Sequence, residues 1–257
     1  MSPEKIIDIK DGRHPLHILT TDNFVPNDAQ TSAGACARIL TGPNASGKSV
    51  YMKMIGLIVY LAHIGSFVPA RTATIGIIRH IRSRLQTAEC VATHMSAFLI
   101  DLKQMELALQ ESTSDSLILI DEFGKGTSEV DGLSLLAACL NTFLFQGDAC
   151  PHIFLSTHFL NIREYIVETP LVKFLRFEHV MDGDAPVFLF RVTEGCVDSS
   201  FALQVARASG VDGGVLDRAS EVADSMKNNC LPPQNKKITT KLKAFTEIIK
   251  SDLAEDI

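Results

Sequence analysis

The chain has 257 residues, 46% of them hydrophobic and 7% aromatic, enough for one large domain or one domain with a small appendage. Its 24 basic and 30 acidic side chains give a net charge of −6, so composition offers no reason to expect a free-standing nucleic-acid binder. Six cysteines, at 36, 90, 139, 150, 196 and 230, include no CxxC pair; this argues against a disulfide framework or a zinc cage and suits a reducing interior.

The longest apolar stretch, Ile55 to Val68, is interrupted by His63 and Ser66 and falls short of the ~18 residues a membrane span needs. The start, Met1-Ser2-Pro3-Glu4-Lys5, lacks the apolar core of a secretory signal. The expectation is a soluble, intracellular globular protein with no membrane partner.

In chain order, Lys10-Asp11-Gly12-Arg13 reads as a turn between Ile6–Ile9 and a stretch ending at Phe24-Val25. Cys36–Thr41, Leu117–Asp121 and His152–Thr157 are apolar runs of strand length. Val50–His63, Ala97–Gln110 and Leu133–Phe145 carry apolar residues at helical spacing. Strands followed by helices predict an α/β layer fold with a largely parallel sheet flanked by helices. The unbroken run Leu117-Ile118-Leu119-Ile120 suits a strand buried on both faces. Lys173–Met181 and Val187–Thr193 flank Asp182-Gly183-Asp184-Ala185-Pro186 as a hairpin, and Val211–Lys227 returns to helix. Asn228 to Lys237, with Pro232-Pro233, reads as a linker. Beyond it Ile238, Leu242, Phe245 and Ile249 form one stripe of an amphipathic helix. No internal repeat is present.

Gly42-Pro43-Asn44-Ala45-Ser46-Gly47-Lys48-Ser49 satisfies GxxxxGK[ST] between a predicted strand and a predicted helix. Small residues let successive backbone N–H groups wrap a phosphate, and the helix N-terminus favours its charge. In this setting Lys48 reaches the β- and γ-phosphates of ATP and the Ser49 hydroxyl ligates Mg²⁺. Asp121, at the C-terminal end of its strand, suits a hold on Mg²⁺, and Glu122 a general base or water-positioning group. An Asp-Glu pair after a strand is also a common solvated turn; the phosphate loop is what raises the functional reading. Thr157-His158 fits a polar sensor at the edge of the same sheet, although a lone strand-end histidine is often only a surface residue.

The joint pattern narrows the choice: Gly42–Ser49, Gly65-Ser66-Phe67-Val68-Pro69-Ala70, Ser96-Ala97-Phe98, Ile120-Asp121-Glu122-Phe123-Gly124-Lys125-Gly126-Thr127, Asp131-Gly132 and Ser156-Thr157-His158-Phe159. From about Ile6 to about Lys227 this resembles the ATPase domain of the MutS family of mismatch-repair and recombination proteins. The loop ending Ala45-Ser46-Gly47-Lys48-Ser49-Val50-Tyr51, in place of the more usual Gly-Gly-Lys-Ser-Thr, looks most like the meiotic, crossover-promoting branch.

The resemblance implies a P-loop NTPase of ABC type, in which two ATPase domains meet head to tail around two nucleotides. Catalysis would fall to Lys48, Glu122 and His158. Ser96 would act in trans on the partner's γ-phosphate, although Ala97 stands where the family usually has Thr. Lys125–Asp131 matches a loop that also reaches across the dimer. Phe24 matches an aromatic that packs on adenine, or is an ordinary core aromatic; Arg191 occupies a second adenine-side position, where a guanidinium stacks well. Ser96 also reads as a helix N-cap before Phe98. Gly195, Ser199, Ser200 and Phe201 match a further family pattern, with Ala202 in place of Gly.

Residues 1–210 are thus expected to form the ATPase domain and 211–257 a helical pairing appendage. At 257 residues there is no room for the family's DNA-gripping domains, so the chain reads as a piece of a longer protein or a truncated gene model. DNA would be held by those absent domains. The six lysines between Lys227 and Lys250, against Glu247 alone, read as the solvated face of a pairing helix in preference to a DNA contact. The implied setting is a nuclear, chromosome-associated heterodimer with another MutS-family subunit. Rival readings are a scaffold that binds ATP without turnover, another ABC-class DNA-repair ATPase, and a small-molecule kinase. The second lacks its Ser-Gly-Gly signature here, and the third shows no lid motif.

Overall fold

The computed structural model describes residues 1–21, 23–43, 46–85, 96–183, 185–197, 199–228 and 230–232. The chain forms two compact units, Met1–Ala202 and Leu203–Ile257. The first begins with β1 (Ile6–Gly12), β2 (Asn27–Ser32), β3 (Ala37–Thr41), α1 (Lys48–His63) and β4 (Thr72–Ile75). It continues through β5 (His80–Arg84), α2 (Ala97–Glu111), β6 (Ser116–Asp121), α3 (Glu129–Leu144) and β7 (His152–Thr157). The hairpin β8 (Val172–Asp182) and β9 (Ala185–Glu194) follows. In the second unit, α5 (Gly213–Lys227) follows α4 (Ala202–Ala208), a short helix the sequence pattern did not reveal. Asp212 caps α5 by accepting from the amides of Gly214 and Val215 at 2.9 and 3.3 Å.

Six strands make the main sheet in the order β5-β6-β7-β3-β8-β9. The first five are parallel and β9 is an antiparallel edge, so the architecture is α/β with a mixed, largely parallel sheet. Alternation along the central strands explains its two covered faces. Leu40, Leu117, Leu119 and Phe154 pack with Met52, Ile55, Ile58 and Val59 of α1. Ile39, Ile118, Ile120, Ile153 and Leu155 face the other way, onto Met105 of α2 and Leu136, Leu140 and Phe143 of α3. Full burial of one such side chain contributes about 1.5–3 kcal/mol, so the two layers carry most of the stability of the unit. Gly56 lets α1 approach the sheet closely, because a Cβ there would stand 2.7 Å from Leu119 Cδ1.

A separate antiparallel sheet, β2-β1-β4, places Ile7, Ile9, Ala29 and Ile75 in the α1 layer. Here the structure departs from the sequence pattern. Lys10-Asp11-Gly12 is not a turn: β1 runs on through Gly12 with an irregular register after Ile9 and Asp11 at φ +51°. The Asp28 carboxylate accepts from the Asp11 amide at 2.9 Å and from Lys10 Nζ at 3.0 Å, which holds the bulge. The second strand is the polar Asn27–Ser32, which begins just after Phe24-Val25 and buries Asn27, Ala29 and Thr31 on its inner face. β4 and the exposed edge strand His80–Arg84 also lack the apolar run by which strands are read.

The described cysteines, 36, 139, 150, 196 and 230, are free thiols. No helix among the described residues is long and apolar enough to cross a membrane. Asn44, Ala45, the Pro233 end of the linker and the stripe from Ile238 to Ile249 lie outside the described residues.

Candidate functional site

Parallel pairing aligns the C-terminal ends of three adjacent strands. Thr41 of β3 pairs with Thr157 of β7, and Asp121 of β6 pairs with Ser156. The glycine loop, the Asp121-Glu122 pair and Thr157-His158 therefore emerge side by side at one edge of the sheet, where open α/β sheets bind ligands.

The loop is tightly braced. Gly47 caps α1 at φ +104°, a left-handed conformation that glycine adopts without a Cβ penalty. α1 starts at Lys48, two residues earlier than its apolar spacing suggests, so Lys48 and Ser49 occupy its first turn. Ser46 Oγ donates to the Pro43 carbonyl at 2.9 Å. Lys48 is buried; its Nζ donates to the carbonyls of Gly42 and Pro43, both at 2.7 Å, and lies 3.1 Å from Glu122 Oε1. Burial pulls the Lys48 ammonium below its ordinary value, opposed by Glu122.

Glu122 sits on a strained turn at φ +55°. Its amide donates to the Ser156 carbonyl at 2.9 Å, the fully buried Phe123 anchors the next position, and its Oε2 is ion-paired with Lys125. Burial pushes the Glu122 carboxyl up, but Lys125 and Lys48 outweigh it and hold the group below the usual carboxylate range. Gly124, at φ +89°, closes the turn against α3; a Cβ on it would stand 2.8 Å from the Gly132 Cα. Asp121 is buried, with Oδ1 accepting from Ser156 Oγ. His158 is half-buried, and its Nδ1 is buried without a hydrogen-bond partner among the described residues. Burial lowers its imidazole from the ordinary value, so it is neutral at pH 7.

Beside the loop lies a cavity of about 500 Å³. Phe24, Gly47, Lys48, Ser49 and Glu122 line it, together with Tyr51, Phe177 and Phe190. Arg191 and Ser96 are exposed and are not among its lining residues. At the second aromatic position the wall is Phe190, one residue before Arg191. Between the Phe177–Val192 and His179–Phe188 pairs the hairpin register slips, and Phe190 takes φ +54°. The Asn27 side chain fixes this bulge, donating to the Phe190 carbonyl at 2.8 Å and accepting from the Val192 amide at 2.7 Å. A bulge breaks strand alternation, so no parity argument on the sequence could have chosen Phe190 over Arg191.

Ser96 caps α2, accepting from the Leu99 amide at 3.3 Å. Phe98 packs on the loop after Glu122, since a Cβ on Gly126 would stand 2.9 Å from Phe98 Cβ. Ser128 caps α3 and also donates to Asp131 Oδ2 at 2.7 Å, which starts that helix four residues ahead of its apolar run. Asp121 and Ser49 supply hard oxygen donors of the kind Mg²⁺ prefers. The orphaned His158 Nδ1 and the carbonyl-bound Lys48 ammonium fit a site that takes up a further polar group.

The MutS domain V family matches residues 38–227. The chain is 46% identical over 233 residues to MutS protein homolog 5 of Caenorhabditis elegans, covering 89% of this chain and 17% of that protein. It is 37% identical over 251 residues to MutS protein homolog 5 of Saccharomyces cerevisiae, covering 86% and 28% respectively. To the DNA mismatch repair protein MutS of Thermosipho melanesiensis it is 37% identical over 216 residues, covering 84% and 26%. The chain thus spans between 17% and 28% of the length of these relatives. With the family matched across most of its length, the chain belongs to the MutS family and carries domain V of that family.

Proposed function

We propose that the chain is the ATP-binding and hydrolysing part of a MutS-family protein of mismatch repair or meiotic recombination, a P-loop domain of ABC type. In this reading it works as an ATP-driven switch within a dimer bound to DNA. The observation that carries the reading is the meeting of Lys48 and Glu122, 3.1 Å apart, at the aligned ends of β3 and β6. A phosphate-binding ammonium and a carboxylate base are needed within one phosphate's width of each other.

The backbone of Gly42 to Ser49 cradles the phosphates, and Lys48 exchanges its two loop carbonyls for phosphate oxygens. Phe24 and Phe190 supply a cavity wall that suits a purine. Ser49 and Asp121 would hold Mg²⁺, which would supply neutralisation of the negative charge on the phosphates. Glu122, released from Lys48, accepts the proton of the attacking water, and the neutral His158 hydrogen-bonds at the γ-phosphate. Ser96 serves the nucleotide of a partner subunit. Residues 1–210 form the ATPase domain and 211–257 the pairing appendage. DNA contact, a heterodimeric partner of the same family and a nuclear location belong to the whole protein.

A second reading is favoured by one observation: both Glu122 oxygens are held by lysines. A domain whose base never left these lysines would bind ATP as a scaffold. Single-turnover hydrolysis by the chain, with Glu122→Gln as the blank, separates the two. A Mg²⁺-dependent rate well above that blank supports the ATPase, and equal rates support the scaffold.

A further inference from the structure

The guanidinium of Arg84 lies between two parts of the domain that the proposed chemistry must keep in register. Arg84 ends β5 and pairs in register with Ile120 of β6. Its Nη1 donates to the main-chain carbonyl of Asp121, and its Nη2 lies 2.5 Å from Asp101 Oδ2 on α2. Both side chains are withdrawn from solvent, 11% and 3% exposed. The carbonyl that Arg84 holds belongs to the same peptide unit as the Glu122 amide, which the Ser156 carbonyl holds from the other side. The plane of the peptide between the two acidic residues is thereby fixed at both edges. Asp101 stands five residues after Ser96, about 7.5 Å along the helix axis. Phe98, between them, is already seated on Gly126.

We propose that the Arg84–Asp101 pair is a strut that sets the first turns of α2, and with them Ser96, against the Asp121–Glu122 strand end. The proposal rests on the reading of the chain as a MutS-type ATPase in which Ser96 completes a second nucleotide site. It assigns Arg84 and Asp101 as positioning residues, with no contact to nucleotide. Stability alone does not account for such a pair: desolvating two charges costs about as much as their attraction returns, and apolar residues of similar volume often serve as well. Arg84 Nε finds no partner among the described residues, so the guanidinium is not placed for maximal hydrogen bonding. What the planar fork supplies is direction, since one rigid group fixes a strand carbonyl and a helix carboxylate together. Without it, nucleotide can still load on the Lys48 loop of the same chain, while the step that needs Ser96 and Glu122 correctly spaced is lost.

The test compares Asp101→Asn, Asp101→Glu and the apolar double variant Arg84→Met/Asp101→Leu in the full chain. Three quantities are measured: the Kd for a fluorescent non-hydrolysable ATP analogue, kcat at saturating Mg²⁺-ATP, and the thermal midpoint. A strut predicts Kd within about threefold of the parent for all variants, with kcat down about tenfold or more in Asp101→Asn and in the double variant. Asp101→Glu, which keeps the charge, recovers most of the rate. The double variant, with its thermal midpoint, controls for folding, because it removes both charges of the pair together. A folded double variant with parental kcat overturns the strut, as does a parallel loss of Kd and kcat. A parent chain no faster than Glu122→Gln overturns the ATPase reading instead, and the strut with it.

Discussion

Lys48 Nζ stands 3.1 Å from Glu122 Oε1, so the ammonium of the loop after β3 and the carboxylate after β6 neutralise each other across the end of the intervening strand β7. Two loop carbonyls complete the lysine's shell, and Lys125 takes the second carboxylate oxygen. Each partner of Lys48 is an oxygen that a phosphate can replace. Each partner of Glu122 is a cation that a phosphate can draw away. In the proposed function, nucleotide binding and release of the base would thereby be one event.

Removing either partner should therefore separate binding from turnover. Lys48→Ala removes the charge-assisted bonds to phosphate, worth about 1.5–3 kcal/mol each, and should abolish measurable nucleotide binding in an equilibrium titration. Lys125 still pairs Glu122 in that variant, so the fold should survive. Glu122→Gln keeps binding and lowers turnover by about 10²–10⁴-fold, the usual contribution of a positioned base. Normal hydrolysis by Glu122→Gln would show that the base lies elsewhere.

If Phe190 packs on the purine as proposed, Phe190→Ala should weaken ATP binding by about tenfold while leaving the affinity for inorganic triphosphate unchanged. Asn27→Leu should mimic it in part. It frees the Phe190 carbonyl and the Val192 amide that hold the left-handed bulge. Arg191→Ala, on the exposed side of β9, should leave both affinities where they are. An equal loss for ATP and triphosphate would place Phe190 away from the base.

The contrast between Phe190 and Arg191 marks how far the sequence reaches. The glycine loop, the Asp121-Glu122 pair and the order of core strands and helices follow from local pattern, because burial on both faces gives unbroken apolar runs and a phosphate loop has an almost unique spacing. What escapes it depends on contacts between distant segments. Asn27 bonds to residues more than 160 positions away, and β2 is a strand only because β1 pairs with it. The bulge at Asp11 looks like a turn because a left-handed aspartate beside glycine has the composition of one. Arg84 and Asp101 carry no motif at all; the fold brings them together.

Gly124→Ala should destabilise the domain by about 2 kcal/mol or more without touching nucleotide. The added methyl meets the Gly132 Cα at 2.8 Å, and φ +89° is strained for alanine. Both partners are backbone, so nothing can rotate aside. Chemical denaturation gives the value directly. A loss under about 0.5 kcal/mol would mean that the turn after Glu122 relaxes freely.

Mild acid should weaken the fold through His152. Its ring is buried, bonded to the Thr31 hydroxyl at 2.8 Å, and burial together with the Lys5 charge lowers its pKa to about 4. A histidine depressed in the folded state is protonated first in the unfolded chain. Stability is then intact above about pH 6.5 and falls as pH drops toward 4, by roughly 3 kcal/mol in all. His14 and His158 are lowered as well and add the same sign. Urea unfolding at pH 7, 6 and 5 should show the fall, and His152→Asn should flatten much of it. A slope identical in the two proteins would assign the acid sensitivity to the other histidines.

Ser96 is exposed at the N-terminus of α2, outside the wall of the cavity in its own chain. If it completes a partner's site, one chain holds all the groups for binding but lacks one for turnover. Specific ATPase activity should then rise with protein concentration and level off as dimers fill, while the fraction of chains that bind nucleotide at saturation stays constant. Ser96→Ala should lower the plateau and leave Kd alone. Mixing Ser96→Ala with Glu122→Gln should restore up to about a quarter of the parental dimer rate, since random pairing makes half the dimers mixed and each has one intact composite site. Restoration requires that the base and the serine come from different chains. Two dead variants that stay dead when mixed, or an activity per chain that is flat on dilution to monomer, would rule out a composite site between two copies of this chain.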